Sequence, residues 1–220
     1  MARRTSSCIK ENAMKSWNSI PSQETIDKTV AALSANGIEA VYVKTAAEAR
    51  ARVLEMIPKG AEVMTMSSVT VDSIGLGKDL NESGAYESAK ARLYAMDQKT
   101  QGREMRKYGA APDVAVGSVH AVTETGSLVI ASLTGSQLPA YAYGSGTVIW
   151  VAGVNKLVKD LEEGMKRLDE HVVPLESDRA RKAYGLPEGF QSFPSKVLVF
   201  NREVQPGRVK LVLVGEVLGF

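Results

Sequence analysis

Residue types suited to acid–base, nucleophilic or anion-binding chemistry gather in three short clusters. Thr123-Glu124-Thr125-Gly126 sets a carboxylate between hydroxyls and ends on a glycine. In a pocket, Glu124 would have a raised pKa and act as acid or base; ionised, it would bind a ligand hydroxyl or attack as a nucleophile. An exposed turn is the alternative, since glutamate is common there. Asn155-Lys156 puts an amide and a cation just past an apolar run, where Lys156 would clamp an anion and Asn155 would orient an oxygen. The competing placement is the solvated start of the next helix, which offers a cation no electrostatic benefit. Ser67-Ser68-Val69-Thr70 brings hydroxyls and N–H groups to the end of a strand, either to hold a carboxylate or phosphate or simply to cap a helix. The candidate catalytic residues are thus Glu124 and Lys156, and the candidate ligand contacts are Ser67, Ser68, Thr70, Thr125, Gly126 and Asn155.

Other groups carry less. His120 and His171 are the only histidines and lack the close His or Cys partners of a zinc site, so no metal is expected. His120 reads as a packed or rim residue, sharing a face with Glu124 if the chain between them is extended; His171 reads as helix surface. Tyr141 and Tyr143 flank a possible planar ligand beside the Gly144-Ser145-Gly146 turn, with a tight turn as the plainer reading. No Walker loop, GxGxxG or GxSxG pattern is present.

The elements that must position these residues alternate helix and strand. Ser22 caps a helix carrying Ile26, Val30 and Leu33 and stopping at Asn36-Gly37; a strand spans 38–43. Thr45 and Glu48 form a capping box before Ala49, Val53, Met56 and Ile57, and a second strand covers 62–66. A long helix is expected over about 83–107, broken at Gly102 if anywhere. Strands follow at 113–117, 127–131 and 147–151. A helix capped by Asp160 and Glu163 runs through Leu161, Met165, Leu168 and Val172 until Pro174 closes it. The stretch 179–194 reads as a surface excursion, and strands 196–200 and 209–214 end the pattern. Short connectors between such elements favour an α/β architecture.

Composition sets the outer limits. The chain has 220 residues, 44% of them apolar, enough for one packed domain over 21–220, preceded by an arm or short helix over 1–20. A net charge of +2 predicts no nucleic-acid surface, and no apolar run is long enough for membrane insertion. Cys8 is the only cysteine, which fits a cytoplasmic setting and leaves no thiolate cluster within one chain.

Ser67-Ser68-Val69-Thr70 with Ile74-Gly75, Thr123 to Val129, and Gly153-Val154-Asn155-Lys156-Leu157-Val158 together resemble the LUD domain (DUF162) family, in particular its lactate utilisation protein C-like single-domain members. The similarity spans roughly Ile26 to Val173, and 179–182 and 211–216 resemble the ending of such members. It implies a three-layer Rossmann-like α/β fold similar to ribose-phosphate isomerases, glucosamine-phosphate deaminases and coenzyme A transferases. It also implies a component of lactate oxidation, with an iron–sulfur redox protein as partner because this chain cannot hold a cluster alone. Glu124 is similar in placement to the glutamate acylated in coenzyme A transferases, although TETG departs from their SENG pattern.

The expectation is a cytoplasmic protein that binds a small anionic metabolite where the three clusters meet, with no cofactor identified and a homo-oligomer compatible with the sequence. The alternatives are an isomerase or acyl/CoA transferase, and a noncatalytic assembly or regulatory subunit of a redox complex.

Overall fold

Ser22 begins the first helix. Its hydroxyl accepts the N–H of Thr25 at 3.2 Å and starts α1 (Gln23–Ala35). The computed structural model describes residues 16–220; of the arm expected over 1–20, only 16–20 fall within it, and Trp17-Asn18 form a turn. After β1 (Glu39–Val43), Thr45 caps α2 (Ala46–Met56) by accepting the N–H of Glu48 at 3.2 Å. The Glu48 carboxylate reaches back to the N–H of Lys44 at 2.8 Å, one residue before the position a capping box would use.

β2 (Glu62–Thr65) leads into α3 (Val69–Ser73) and α4 (Leu76–Glu82). The single long helix expected next is instead three elements: β3 (Glu87–Ser88), α5 (Ala89–Tyr94) and α6 (Gln98–Ala110). Side-chain caps cause the division. Ser88 accepts the N–H of Ala91 at 3.1 Å and Asp97 that of Lys99 at 2.9 Å, and each cap takes its own residue out of helical geometry. Gly102 does not break α6; the kink falls at Gln101.

β4 (Val114–Gly117), β5 (Ala121–Thr123) and β6 (Leu128–Ser132) follow, then a π-helical turn at Ala140–Gly144 and β7 (Thr147–Gly153). A 3-10 turn at Val154–Lys156, β8 (Leu157–Val158) and α7 (Leu161–Arg167) come next. Pro174 does not close this helix. A π-helical turn at Leu168–Val172 lets the N–H of Val173 reach back to the Leu168 carbonyl, and Pro174, with no N–H to give, sits in the first turn of α8 (Val173–Tyr184). β9 (Lys196–Phe200) and β10 (Val209–Val214) complete the order.

Six strands form one parallel sheet in the order β1-β10-β7-β4-β2-β3, and β8-β5-β6-β9 form a second, mixed sheet. The large sheet is covered on both faces, which explains its unbroken apolar strands. On one face Val114, Val116, Ile149, Val151, Val212 and Val214 meet Ala49 and Val53 of α2, Val71 of α3 and Leu80 of α4. On the other, Ala115, Val148, Trp150, Leu211 and Leu213 meet Ile26 and Leu33 of α1 and Val122, Leu128 and Phe200 of the small sheet. Burying each side chain of this size contributes roughly 1.5–3 kcal/mol. The outer face of the small sheet carries Ala121, Val129 and Val158 against Met165, and Ala131 against Leu168 and Val172. The architecture is Rossmann-like α/β with one parallel and one mixed sheet.

Because all six strands of the large sheet run the same way, the segments leaving β2, β4 and β7 emerge at one edge. The strand order places β4 between the other two. Gly117, which ends β4, permits this edge to be tightly filled: a Cβ there would lie 1.8 Å from Tyr141 Oη.

Candidate functional site

The three exits meet at Lys156. Its Nζ donates to Thr70 Oγ1 at 2.9 Å, Ser118 Oγ at 3.0 Å and the Val119 carbonyl at 3.1 Å. Thr70 comes from the segment after β2, Ser118 from the residue after β4, and Lys156 from the turn after β7. The side chain is 1% exposed, so the solvated helix start considered from the sequence is not where it lies. The 3-10 turn at Val154–Lys156 and β8 intervene before α7 and fold Lys156 inward.

Three neutral oxygens match the three N–H bonds of an ammonium and leave its charge uncompensated. Burial pushes the Lys156 pKa well below its ordinary value, and the nearby Arg167 cation pushes the same way. Ser118 Oγ and Thr70 Oγ1 pass their own protons to the carbonyls of Val151 at 2.7 Å and Leu218 at 3.3 Å. Both hydroxyl oxygens are thereby turned toward the lysine.

Above this cluster lies a cavity of about 540 Å³, lined by Ser67, Ser68, Thr70, Ser118, His120 and Lys156 on its polar side and by Tyr94, Leu168, Val172, Phe190 and Phe193 on its apolar side. It opens outside the carboxyl ends of the parallel strands, the usual place for ligands in α/β sheets. Ser67 is exposed to it, whereas Ser68 also caps α3 by accepting the N–H of Val71 at 3.3 Å.

His120 stands on the cavity wall, half-buried. Its Nδ1 accepts the N–H of Ala131 at 3.0 Å, which leaves the proton on Nε2. Burial, with Lys156 and Arg167 adding repulsion, lowers its pKa to about 3. His171 is not a surface helix residue either: it lies in the π-helical turn, half-buried, and burial lowers its pKa, with Arg167 and Lys156 contributing.

The turn at Thr123–Gly126 is placed elsewhere. β5 leads away from His120, so at about 3.3 Å per residue Glu124 is carried some ~13 Å along the small sheet, and it is not among the residues lining the cavity. Glu124 instead accepts from Lys28 of α1 at 2.9 Å, while Asn36 donates to the carbonyls of Thr125 at 3.0 Å and Gly126 at 3.2 Å. Gly126 is needed for that docking, because it has φ of 81° and a Cβ would come within 2.7 Å of the Ala32 backbone. Thr123 and Thr125 bond each other at 2.9 Å within the turn. Seven of the eight candidate residues are therefore divided between two places: Ser67, Ser68, Thr70 and Lys156 at the cavity, and Glu124, Thr125 and Gly126 against α1.

The eighth differs: Asn155 clamps the segment after β10, accepting the N–H of Leu218 at 3.1 Å and donating to the Gly219 carbonyl at 3.2 Å. Tyr141 and Tyr143 do not form a pair around a ligand. Tyr141 packs edge-on against Trp150 at 5.2 Å, and Tyr143 is 83% exposed.

The LUD domain profile matches residues 26–214. The chain belongs to the LUD domain family. A solved DUF162 family protein from Deinococcus radiodurans is similar at 12% identity and a TM-score of 0.53, with 87% of this chain and 96% of that one covered, a likeness of fold. Ribose 5-phosphate isomerase from Plasmodium falciparum aligns at 12% identity over 74% of this chain and 79% of its own, with a TM-score of 0.36. No curated protein matches the chain.

Within this LUD domain, sequence reasoning passed over Ser118 and Arg167. Ser118 is a lone hydroxyl after an apolar strand. Arg167 lies on the stripe that also buries Gly164 and Leu168, and its Nη1 donates to the His120 carbonyl at 2.6 Å. Its position three residues after Gly164 and one before Leu168 was the available signal. The excursion expected over 179–194 is also revised: α8 continues to Tyr184, and Leu186, Phe190, Ser192 and Phe193 wall the cavity. Among the described residues no group of His, Cys, Asp and Glu is arranged to hold a metal, and no helix is long and apolar enough to cross a membrane.

Proposed function

We propose that this LUD protein binds a small anionic metabolite in the Lys156 cavity and acts in lactate utilisation as a cytoplasmic component alongside a separate iron–sulfur redox protein. The observation that carries the binding site is the buried Lys156 Nζ, bonded only to neutral oxygens, beside a cavity lined by further hydroxyls. A desolvated cation without a counter-charge is costly, and an incoming carboxylate or phosphate offsets that cost at the moment of binding. Ser67, Ser68 and the Nε2–H of His120 are placed to complete the hydrogen bonding of its oxygens. Family membership supports the lactate-utilisation setting, and the single cysteine, Cys8, supports a cluster held by another chain.

Titration calorimetry with a panel of hydroxy- and keto-carboxylates, sugar phosphates and coenzyme A thioesters tests this reading. One class should saturate the protein at a single site per chain. If every class fails to bind, the anion site is withdrawn; if a class is turned over by the isolated chain, the protein is an enzyme and the isomerase or acyl-transfer alternatives take over.

A further inference from the structure

Two arginines turn the Nε and Nη2 edge of the guanidinium onto a single carboxylate. Arg50 turns Nε and Nη2 onto Asp79 at 2.5 and 2.6 Å, and Arg179 turns the same pair onto Glu176 at 2.6 and 2.7 Å. Arg167 does not. Its side chain is 0% exposed, yet Nε and Nη2 have no hydrogen-bond partner among the described residues. Its Nη1 is fixed by the His120 carbonyl at 2.6 Å, so the open edge is held in one orientation. His171, one helical turn further on, has a buried Nε2 that also lacks a partner.

Leaving two donors of a buried guanidinium unmet is strongly unfavourable, and a neutral solution exists only if something fills the edge. Burial brings the Arg167 pKa to about 10, which still leaves it charged at neutral pH. A planar fork of two parallel N–H bonds fits a carboxylate or phosphate oxygen pair, and the nearby imidazole adds a third donor when its proton is on Nε2.

We propose that Arg167 and His171 form the direct anion-binding subsite of this protein, taking a carboxylate or phosphate group of the ligand while Lys156, whose donors are already engaged, supplies charge. This rests on the anion-binding reading of the cavity and says which residue makes the bidentate contact. The open edge is not on the present cavity surface; Leu168 and Val172, at either end of the π-helical turn, are. Ligand access therefore includes a shift of that turn, a type of irregularity that recurs at functional sites.

The test is an NMR titration of the full chain labelled with 15N at arginine, using inorganic phosphate in one arm and acetate in the other. The Nε–H resonance of Arg167 is assigned by its loss in Arg167→Lys. It should shift saturably with phosphate, acetate or both, the responding arm naming the ligand chemistry, and affinity should fall at least tenfold in Arg167→Lys, which keeps the charge but not the fork. Arg167→Met supplies a second readout: with the unmatched charge gone, its thermal midpoint should equal or exceed that of the wild type and should not respond to the anion. If either anion binds and Lys156→Met weakens it while the Arg167 resonance stays still, the subsite is overturned and the cavity reading stands. If the Arg167 resonance shifts with an affinity indifferent to Lys156→Met, the subsite stands without that reading. No binding in either arm, with only an ordered water on the guanidinium edge in a crystal structure, overturns the subsite.

Discussion

Lys156 Nζ and Thr70 Oγ1 lie 2.9 Å apart although 86 residues separate them, and this bond joins the segments leaving β7 and β2 across the end of β4. It makes the cation part of the floor on which the cavity is built. Stability and ligand binding are consequently coupled through the same few atoms, which can be pulled apart by substitution.

The turn at Glu124 should behave as packing rather than as binding machinery. Its ion pair with Lys28 is partly solvated, with side chains 27% and 66% exposed, so Glu124→Gln should cost under about 1 kcal/mol and leave ligand affinity unchanged. Gly126→Ala should cost about 1–3 kcal/mol, because it forces a side chain into positive φ and against the Ala32 backbone. Urea denaturation of both variants separates the two effects. A large loss of ligand affinity in Glu124→Gln would return Glu124 to the site.

His120 sets an acid limit on stability. Its folded pKa of about 3 lies below the ordinary 6.5, so as pH falls from 6.5 the unfolded chain takes up a proton that the folded one refuses. Stability from this group is present above that window and declines by about 1.4 kcal/mol per pH unit within it. His171, also lowered, acts in the same direction. Urea midpoints measured across that window should fall less steeply for His120→Asn than for the wild type; equal slopes would contradict the buried neutral imidazole.

A second buried charge is structural. Arg208 pairs with Glu203 at 2.7 Å and donates to the carbonyls of Ser145, Tyr141 and Ala142 at 3.1, 3.0 and 3.1 Å, closing the end of the π-helical turn before β7. Burial opposes ionisation of Glu203, but the N–H of Gln205, Arg208 and the N–H of Val204 outweigh it and hold the carboxyl below its usual range. Arg208→Met should destabilise by about 3–5 kcal/mol, by stranding the carboxylate and three carbonyls. A thermal midpoint within a degree or two of the wild type would show that the pair contributes little.

Much of the fold was legible because periodicity reports burial. The apolar runs of β4, β7 and β10, the Ser22 and Thr45 caps and the placement of Ser67 to Thr70 after β2 follow from local pattern; the inward turn of Lys156 does not. What sequence could not show was decided by distant contacts. Gly126 is glycine because of Ala32 on α1, the TETG turn is oriented by Asn36, and Pro174 continues a helix because a π-helical turn precedes it. Arg167 escaped notice since one cation on a charged helix looks solvated until its turn is packed against a sheet.

Anion binding should bring protons with it. The Lys156 pKa is depressed in the free protein and an adjacent anion raises it, so at a pH between the two values complex formation takes up a proton. Calorimetry in buffers of different ionisation enthalpy, over a pH series running downward from the ordinary lysine range, should show that uptake in the wild type and its loss in Lys156→Met. Buffer-independent enthalpies throughout would mean that the lysine charge does not change on binding.

The most direct measurement is the dissociation constant of the best-binding anion for the wild type and for Lys156→Met, a replacement of similar shape without charge, with thermal midpoints recorded in parallel. The account predicts an affinity loss of at least about tenfold, some ~1.4 kcal/mol, in a variant that remains folded. Equal affinities for the two folded proteins would contradict it.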